Sequence, residues 1–221
     1  MSKYLDFNGV QHLWAKIKST FMSIFPESIR AGFIDEGNIN ASAGGLAVGC
    51  VETDEYGVIE ADWDGTCALG WVDGNNSTQD PTIGAYSYGA MSQGAADTNA
   101  IITSGSSNAA GKGSFARGYA KGYYGEDEED DGVARIEASA AGAFASGAVE
   151  VNSTDDASIR ATGKGSYAGG YTTDGDNIIA VGNGSFAHGY MSVTASGVGS
   201  HAEGTGTGAS GDYSVIDFKT G

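Results

Sequence analysis

The chain has 221 residues, 11 basic and 28 acidic, for a formal net charge of −17. Phosphate backbones and anionic bilayers both attract lysine and arginine, so this balance argues against a nucleic-acid partner or an acidic membrane surface. Glycine (37), alanine (31) and serine (23) fill about 41% of the chain, with only two prolines; that excludes collagen, argues against a bulky enzyme core, and favours closely packed small side chains.

Residues 1–36 read as a helical attachment or capping segment. Val10, Leu13, Trp14, Ile17, Phe21 and Ile24 follow the i, i+3, i+4, i+7 spacing of a short amphipathic α-helix over residues 7–25. Asp6 or Asn8 supplies its N-cap, and Pro26 ends it. Two roles stay open and are compatible: the helix trimerises or docks on a larger assembly, or it closes the open end of a repeat array. The N-terminus lacks the apolar run and cleavage site of a signal peptide, and no stretch of 18 apolar residues occurs, so no membrane insertion is expected.

Residues 37–211 repeat themselves. Ile159–Gly170, Ile178–Gly189 and Val193–Gly204 align without gaps as I-x-A-x-G-x-G-S-x-A-x-G. Fainter copies run from Asn38 to Gly49, Ile59 to Gly70, Thr82 to Gly89, Ala109 to Gly118 and Ile136 to Gly147. The second alanine of the unit falls at 47, 68, 87 (a serine), 116, 145, 168, 187 and 202. A fixed unit with variable spacing points to stacked coils with loops inserted on one edge.

Each half of the unit alternates with the strand period. In the first half Ile159 and Ala161 share one face while Arg160 and Thr162 share the other. In the second half Ser166, Ala168 and Gly170 form a small-residue face. Bulk precedes the alanine at Leu46, Cys67, Tyr86, Phe115, Phe144, Tyr167, Phe186 and His201, and follows it at Trp71, Tyr119, Tyr171 and Tyr190. Stacking at roughly 4.8 Å per rung gives a mostly-β, parallel β-roll of about eight coils. Its apolar stripe of Leu46, Phe115, Tyr119, Phe144, Tyr167, Tyr171, Phe186 and Tyr190 calls for cover by further copies of the chain. Residues 212–221 are expected to be a tail.

Glu126–Asp131 is a run of six acids between glycines. It reads as a solvated loop tip, with Glu126, Asp127, Asp130 and Asp131 as the candidates for a cation, although no calcium-loop spacing is kept. His188 and His201 lie on adjacent coils without a His-x-His pair. Ser114, Ser166, Ser185 and Ser200 occupy one repeat position, and a position repeated in every coil is structural, whereas catalysis needs one special site. Cys50 and Cys67 are too few for a disulfide framework; two ordinary thiols are the preferred reading and a bridge the alternative. No cofactor is expected.

Ser185-Phe-Ala-His-Gly189, Gly199-Ser-His-Ala-Glu-Gly204 and Gly45-Leu-Ala-Val-Gly49 resemble head repeats of YadA-type trimeric autotransporter adhesins, repeats also found in phage tail fibres. The resemblance covers roughly residues 38–211 and implies a left-handed parallel β-roll, assembled as a trimer, that binds host surfaces. Leu5-Asp6-x-x-Gly9…Leu13-Trp14-x-Lys16-Ile17-Lys18 is similar to N-termini of phage and gut-bacterial tail-like proteins. These residues show neither the stalk nor the membrane anchor of an autotransporter, which favours a phage tail component or an excised fragment. The expected function is non-enzymatic: cell adhesion or recognition of a host-surface protein or glycan, outside the cell, at a cell surface or on a virion. The alternative is a structural spacer in a tail fibre or appendage. The place to look for receptor chemistry is the insertion with Tyr123 and Tyr124 beside the acidic run.

Overall fold

The computed structural model describes residues 29–34, 37–42, 44–52, 57–74, 81–105, 111–125 and 131–217. Val10, Leu13, Trp14, Ile17 and Phe21 of the expected N-terminal helix lie outside them, as do Glu126, Asp127 and Asp130. Among the described residues there is no helix, and every strand pair is parallel. The chain winds as a parallel β-solenoid built on two hydrogen-bonded ladders.

The first ladder stacks β1 (Ile29–Ile34), β3 (Leu46–Glu52), β5 (Cys67–Asp73), β7 (Met91–Asp97), β9 (Phe115–Lys121), β11 (Phe144–Glu150) and β13 (Tyr167–Thr173). It continues through the first parts of β15 (Phe186–Ala195) and β16 (His201–Ala209) to β17 (Val215–Asp217). The second stacks β2 (Asn38–Ala41), β4 (Val58–Ala61), β6 (Thr82–Ala85), β8 (Ala100–Ser104), β10 (Ala134–Ala138), β12 (Ala157–Ala161) and β14 (Asn177–Ala180), then the ends of β15 and β16. In β15 the chain passes from one ladder to the other through a register shift between Tyr190 and Val193, with Met191 at φ 62°.

The core is one apolar column against one small-residue column. Ile59, Ile83, Ile102, Ile136, Ile159 and Ile178 are fully buried, facing Ala68, Ala116, Ala145, Ala168 and Ala187, which are also fully buried. Burying each isoleucine side chain contributes roughly 1.5–3 kcal/mol. The inward row of the first ladder runs further than the repeat unit suggested. Val51, Val72, Ala96, Ala120, Val149 and Thr172 extend it past the glycine, each fully buried. This seven-residue strand is what lets a coil of mostly small residues bury enough carbon.

The two edges of the solenoid obey different rules. The connection from the second ladder to the first is five residues long after Ala61, Ala85, Ala138, Ala161, Ala180, Ala195 and Ala209, four after Ala41 and ten after Ser104. Each such turn hydrogen-bonds to the next: Gly165 N donates to Ala141 O (2.9 Å), Gly184 N to Lys164 O (2.8 Å) and Gly199 N to Asn183 O (2.9 Å). Where separate strands are joined, the return edge varies from two residues, 98–99, to twelve, 122–133; in β15 and β16 the strand itself makes the passage. The excursion at 122–133 is closed at its base by an antiparallel bridge between Tyr123 and Gly132, and buried Asn99 donates its side-chain amide to Tyr123 O at 2.8 Å.

Four expectations are corrected. In the third copy the alanine column is occupied by Ser92, not Ser87, and the bulky position by Met91, not Tyr86. Tyr86-Ser87 imitates the aromatic–small pair, but the unit's Gly-x-Gly-Ser has become Ser87-Tyr-Gly-Ala90. The strand preceding Phe115 is β8, not the segment at Ala109, which lies outside the described residues. The array also exceeds the expected bounds of 37–211: β1 precedes them, and β17 lies in the segment expected to be a tail.

Candidate functional site

Outward side chains of the first ladder form three columns on one face. The first carries Leu46, Cys67, Met91, Phe115, Phe144, Tyr167, Phe186 and His201 in register. The second, two residues on, carries Gln93, Arg117, Ser146, Gly169, His188 and Glu203. The third carries Trp71, Ala95, Tyr119, Ala148, Tyr171 and Tyr190. Strand alternation and parallel register suffice to produce this, because identical positions in successive coils must stack.

The aromatic columns pack on themselves. Phe144 stacks on Tyr167 at 5.3 Å between centroids, Tyr167 on Phe186 at 4.8 Å, and Phe186 on His201 at 4.6 Å. Tyr171 stacks on Tyr190 at 5.5 Å. Of the stripe residues read from sequence, Leu46, Phe115, Tyr119, Phe144, Tyr167, Tyr171 and Phe186 are half-buried; Tyr190, near the C-terminal end, is exposed. All eight lie on this one face.

Acids and one lysine border the third column. Tyr119 donates its hydroxyl to Asp97 (3.4 Å) and Tyr171 to Glu150 (3.2 Å), while Lys121 reaches Asp97 at 3.9 Å. Partial burial pushes both phenols above the ordinary tyrosine value, and the neighbouring carboxylates add to it.

Between the aromatic columns lies an open groove of about 470 Å³, lined by Gln93, Arg117 and Ser146 and floored by the backbone of Gly94, Gly118 and Gly147. The Arg117 guanidinium stands 5.5 Å from the Phe144 ring centroid and 5.9 Å from that of Phe115. Among the described residues no carboxylate lies within ion-pair distance of it. The Ser146 hydroxyl is 3.2 Å from the Tyr167 hydroxyl. Sequence reading missed this groove, because its three polar side chains sit on three coils separated by loops of unequal length. Their only sequence signal was the position one residue after the repeat alanine, where the unit tolerates any side chain.

The other candidates fall into structural roles. Asp131 accepts from Gly125 N at 3.0 Å, and no cluster of three metal-ligating side chains occurs among the described residues. Aspartates on the loop edge tie one connection to the next: Asn152 N donates to Asp174 (2.6 Å), Val133 N to Asp156 (2.8 Å), and Ser192 Oγ to Asp176 (2.6 Å). Those bonds from Asn152, with hydroxyls of Thr173 and Ser153, hold the Asp174 carboxyl below the ordinary carboxylate range. Tyr123 and Tyr124 are exposed at the base of the long excursion, away from the groove-bearing strands' stacked columns. Cys50 and Cys67 are free thiols in different columns. His201 lies 3.3 Å from Glu203, and the His188 ring is tilted against those of Tyr167 and Phe186 at 6.2 and 6.1 Å. Ser166 bonds back to Gly163 O at 2.6 Å, a local turn role.

No protein-family model, curated protein or solved structure matches the chain.

Proposed function

We propose that the chain is a non-enzymatic, adhesin-like β-roll that works by surface contact, assembled as a homotrimer and recognising a protein or glycan on a host surface. The observation that carries this reading is the aromatic column Phe115–His201, unbroken along one face of the ladder, beside a second column that carries Tyr119 and the stacked pair Tyr171–Tyr190. Such a continuous patch is the mark of an interaction surface. The repeat of Gly-Ser-x-Ala-x-Gly that builds it resembles YadA-type head repeats, and the reading includes their left-handed winding and an extracellular, cell-surface or virion location. The columns through Leu46, Phe144, Tyr167 and Tyr171 are the proposed contact between copies.

Light scattering tests the assembly: a mass near three times 22.4 kDa is expected. A stable monomer at micromolar concentration overturns the trimer. A trimer that binds no host-cell or glycan surface in a screen favours the spacer role instead.

A further inference from the structure

We propose that the groove at Arg117 is a subsite for a saccharide bearing a carboxylate, with Arg117 gripping the acid group while the Tyr119 ring carries the sugar. The inference deepens the recognition half of the reading above; the groove shares its face with the proposed contact between copies, so it requires that face to stay open at β7, β9 and β11 in the assembly.

Four features of the groove point to this ligand. Its floor is bare backbone, since the glycines of β7, β9 and β11 turn inward, so a ligand can approach closer here than anywhere the columns carry side chains. Its rim includes Tyr119, whose register neighbours are only Ala95 and Ala148; ring faces are negative while sugar C–H edges are positive, which favours stacking of a pyranose there. Gln93 and Ser146 offer neutral hydrogen-bonding groups on either side of the arginine, suited to sugar hydroxyls. Arg117 supplies a planar fork that matches a carboxylate in bidentate fashion.

The arginine is positioned rather than merely present. Two phenyl rings hold it at 5.5 and 5.9 Å, a cation–π arrangement that orients the guanidinium without consuming its donors. The nearest acids on the same face are already engaged, Asp97 by Lys121 and Tyr119, and Glu150 by Tyr171. The chain's net charge of −17 repels anions at long range, so a polyanion is a poor fit. A sugar with one acid group beside one arginine is a good one, because that contact is local and the rest of the ligand is neutral.

The test is titration calorimetry on the full chain with two single-acid probes, methyl glucuronide and sialyllactose, alongside the methyl ester of each; light scattering on the same samples reads the oligomeric state. Binding of at least one acid form is expected, and it distinguishes a uronic acid from a terminal sialic acid. Esterification should weaken binding about tenfold or more, the loss of a hydrogen-bonded charge contact. Arg117→Gln should do the same, Arg117→Lys should lose part of the affinity, and Arg160→Gln on the second ladder should lose none. Arg117 is exposed, so the variants should melt as the parent does. Overturning results are no binding of either acid, equal binding of the ester, or an unaffected Arg117→Gln. A trimer that binds neither probe removes the subsite and keeps the assembly; a monomer that binds one does the reverse.

Discussion

Ile159 fills the space that a β-carbon on Gly147 would need: such an atom would lie 2.8 Å from Ile159 Cδ1 and 1.9 Å from Gly170 O. Gly147 also holds φ +144°, where side chains are rarely accommodated. The same conflict recurs at Gly49 with Ile59 and at Gly70 with Ile83. The repeat's glycine and its isoleucine are therefore two halves of one fitting, made between ladders.

Gly147→Ala should consequently be more damaging than Gly165→Ala. At Gly165, φ is +63° but nothing lies within 4 Å of an added carbon, so the cost is backbone strain alone, about 1–2 kcal/mol. At Gly147 the strain is joined by a clash with the next rung. Urea unfolding of the two variants measures the difference; equal losses would contradict the fitting.

Ile136→Ala should cost about 2–5 kcal/mol, the range for emptying a fully packed site. Ala187→Leu, on the opposing buried face, should cost about 1–3 kcal/mol by overpacking. Arg160→Ala removes an exposed ion pair to Glu137 at 3.2 Å and should cost about 1 kcal/mol or less. Denaturant midpoints rank the three, and an Arg160 variant as unstable as the Ile136 variant would reverse the assigned faces.

Alkali should loosen the solenoid through its partly buried phenols. Tyr86, Tyr119 and Tyr171 all have phenols raised above the ordinary 10.0, chiefly by burial and then by Glu60, Asp97 and Glu150. A raised folded value contributes stability that is complete below about pH 10 and lost as pH climbs through the folded values. Tyr→Phe at these positions should flatten the loss of melting temperature above pH 10. Asp174 works in the other direction. Its carboxyl is held below 3.8, chiefly by Asn152 N–H, so its contribution is present above that pH and disappears on further acidification. Asp174→Asn should make the acid limb shallower.

Deleting residues 126–130 while keeping the Tyr123–Gly132 bridge and the Gly125–Asp131 contact should leave the thermal melt unchanged, because long surface connections add little to stability. Chelator and calcium should both be without effect. A melt that drops with chelator and recovers with calcium would make the acidic run a cation site.

The sequence made the isoleucine and alanine columns legible because both obey a two-residue period and recur at one position per coil. It hid the first and last rungs. β1 keeps only Gly32 of the unit, and the coil ending in β17 has Thr207 for isoleucine and Tyr213, at φ 56°, for glycine. Backbone pairing tolerates such replacements, whereas a motif search does not. The aromatic columns were readable from their offset to the alanine. The groove was not, since Gln93, Arg117 and Ser146 meet only once three unequal loops have been closed into register.

The fixed step between rungs makes the molecule a ruler. Whatever the length of a connection on the variable edge, its ends are fixed to one strand of each ladder, and successive strands of each ladder stay roughly 4.8 Å apart. The twelve-residue excursion at 122–133 and the two-residue link at 98–99 advance the chain by the same single step. New sequence introduced on that edge alters what is displayed at a given height and leaves every other height where it was. The turn edge shows the same tolerance once, at 105–114, where ten residues stand in place of five and Gly113 N still donates to Tyr88 O and Gly142 N to Lys112 O, both at 3.0 Å.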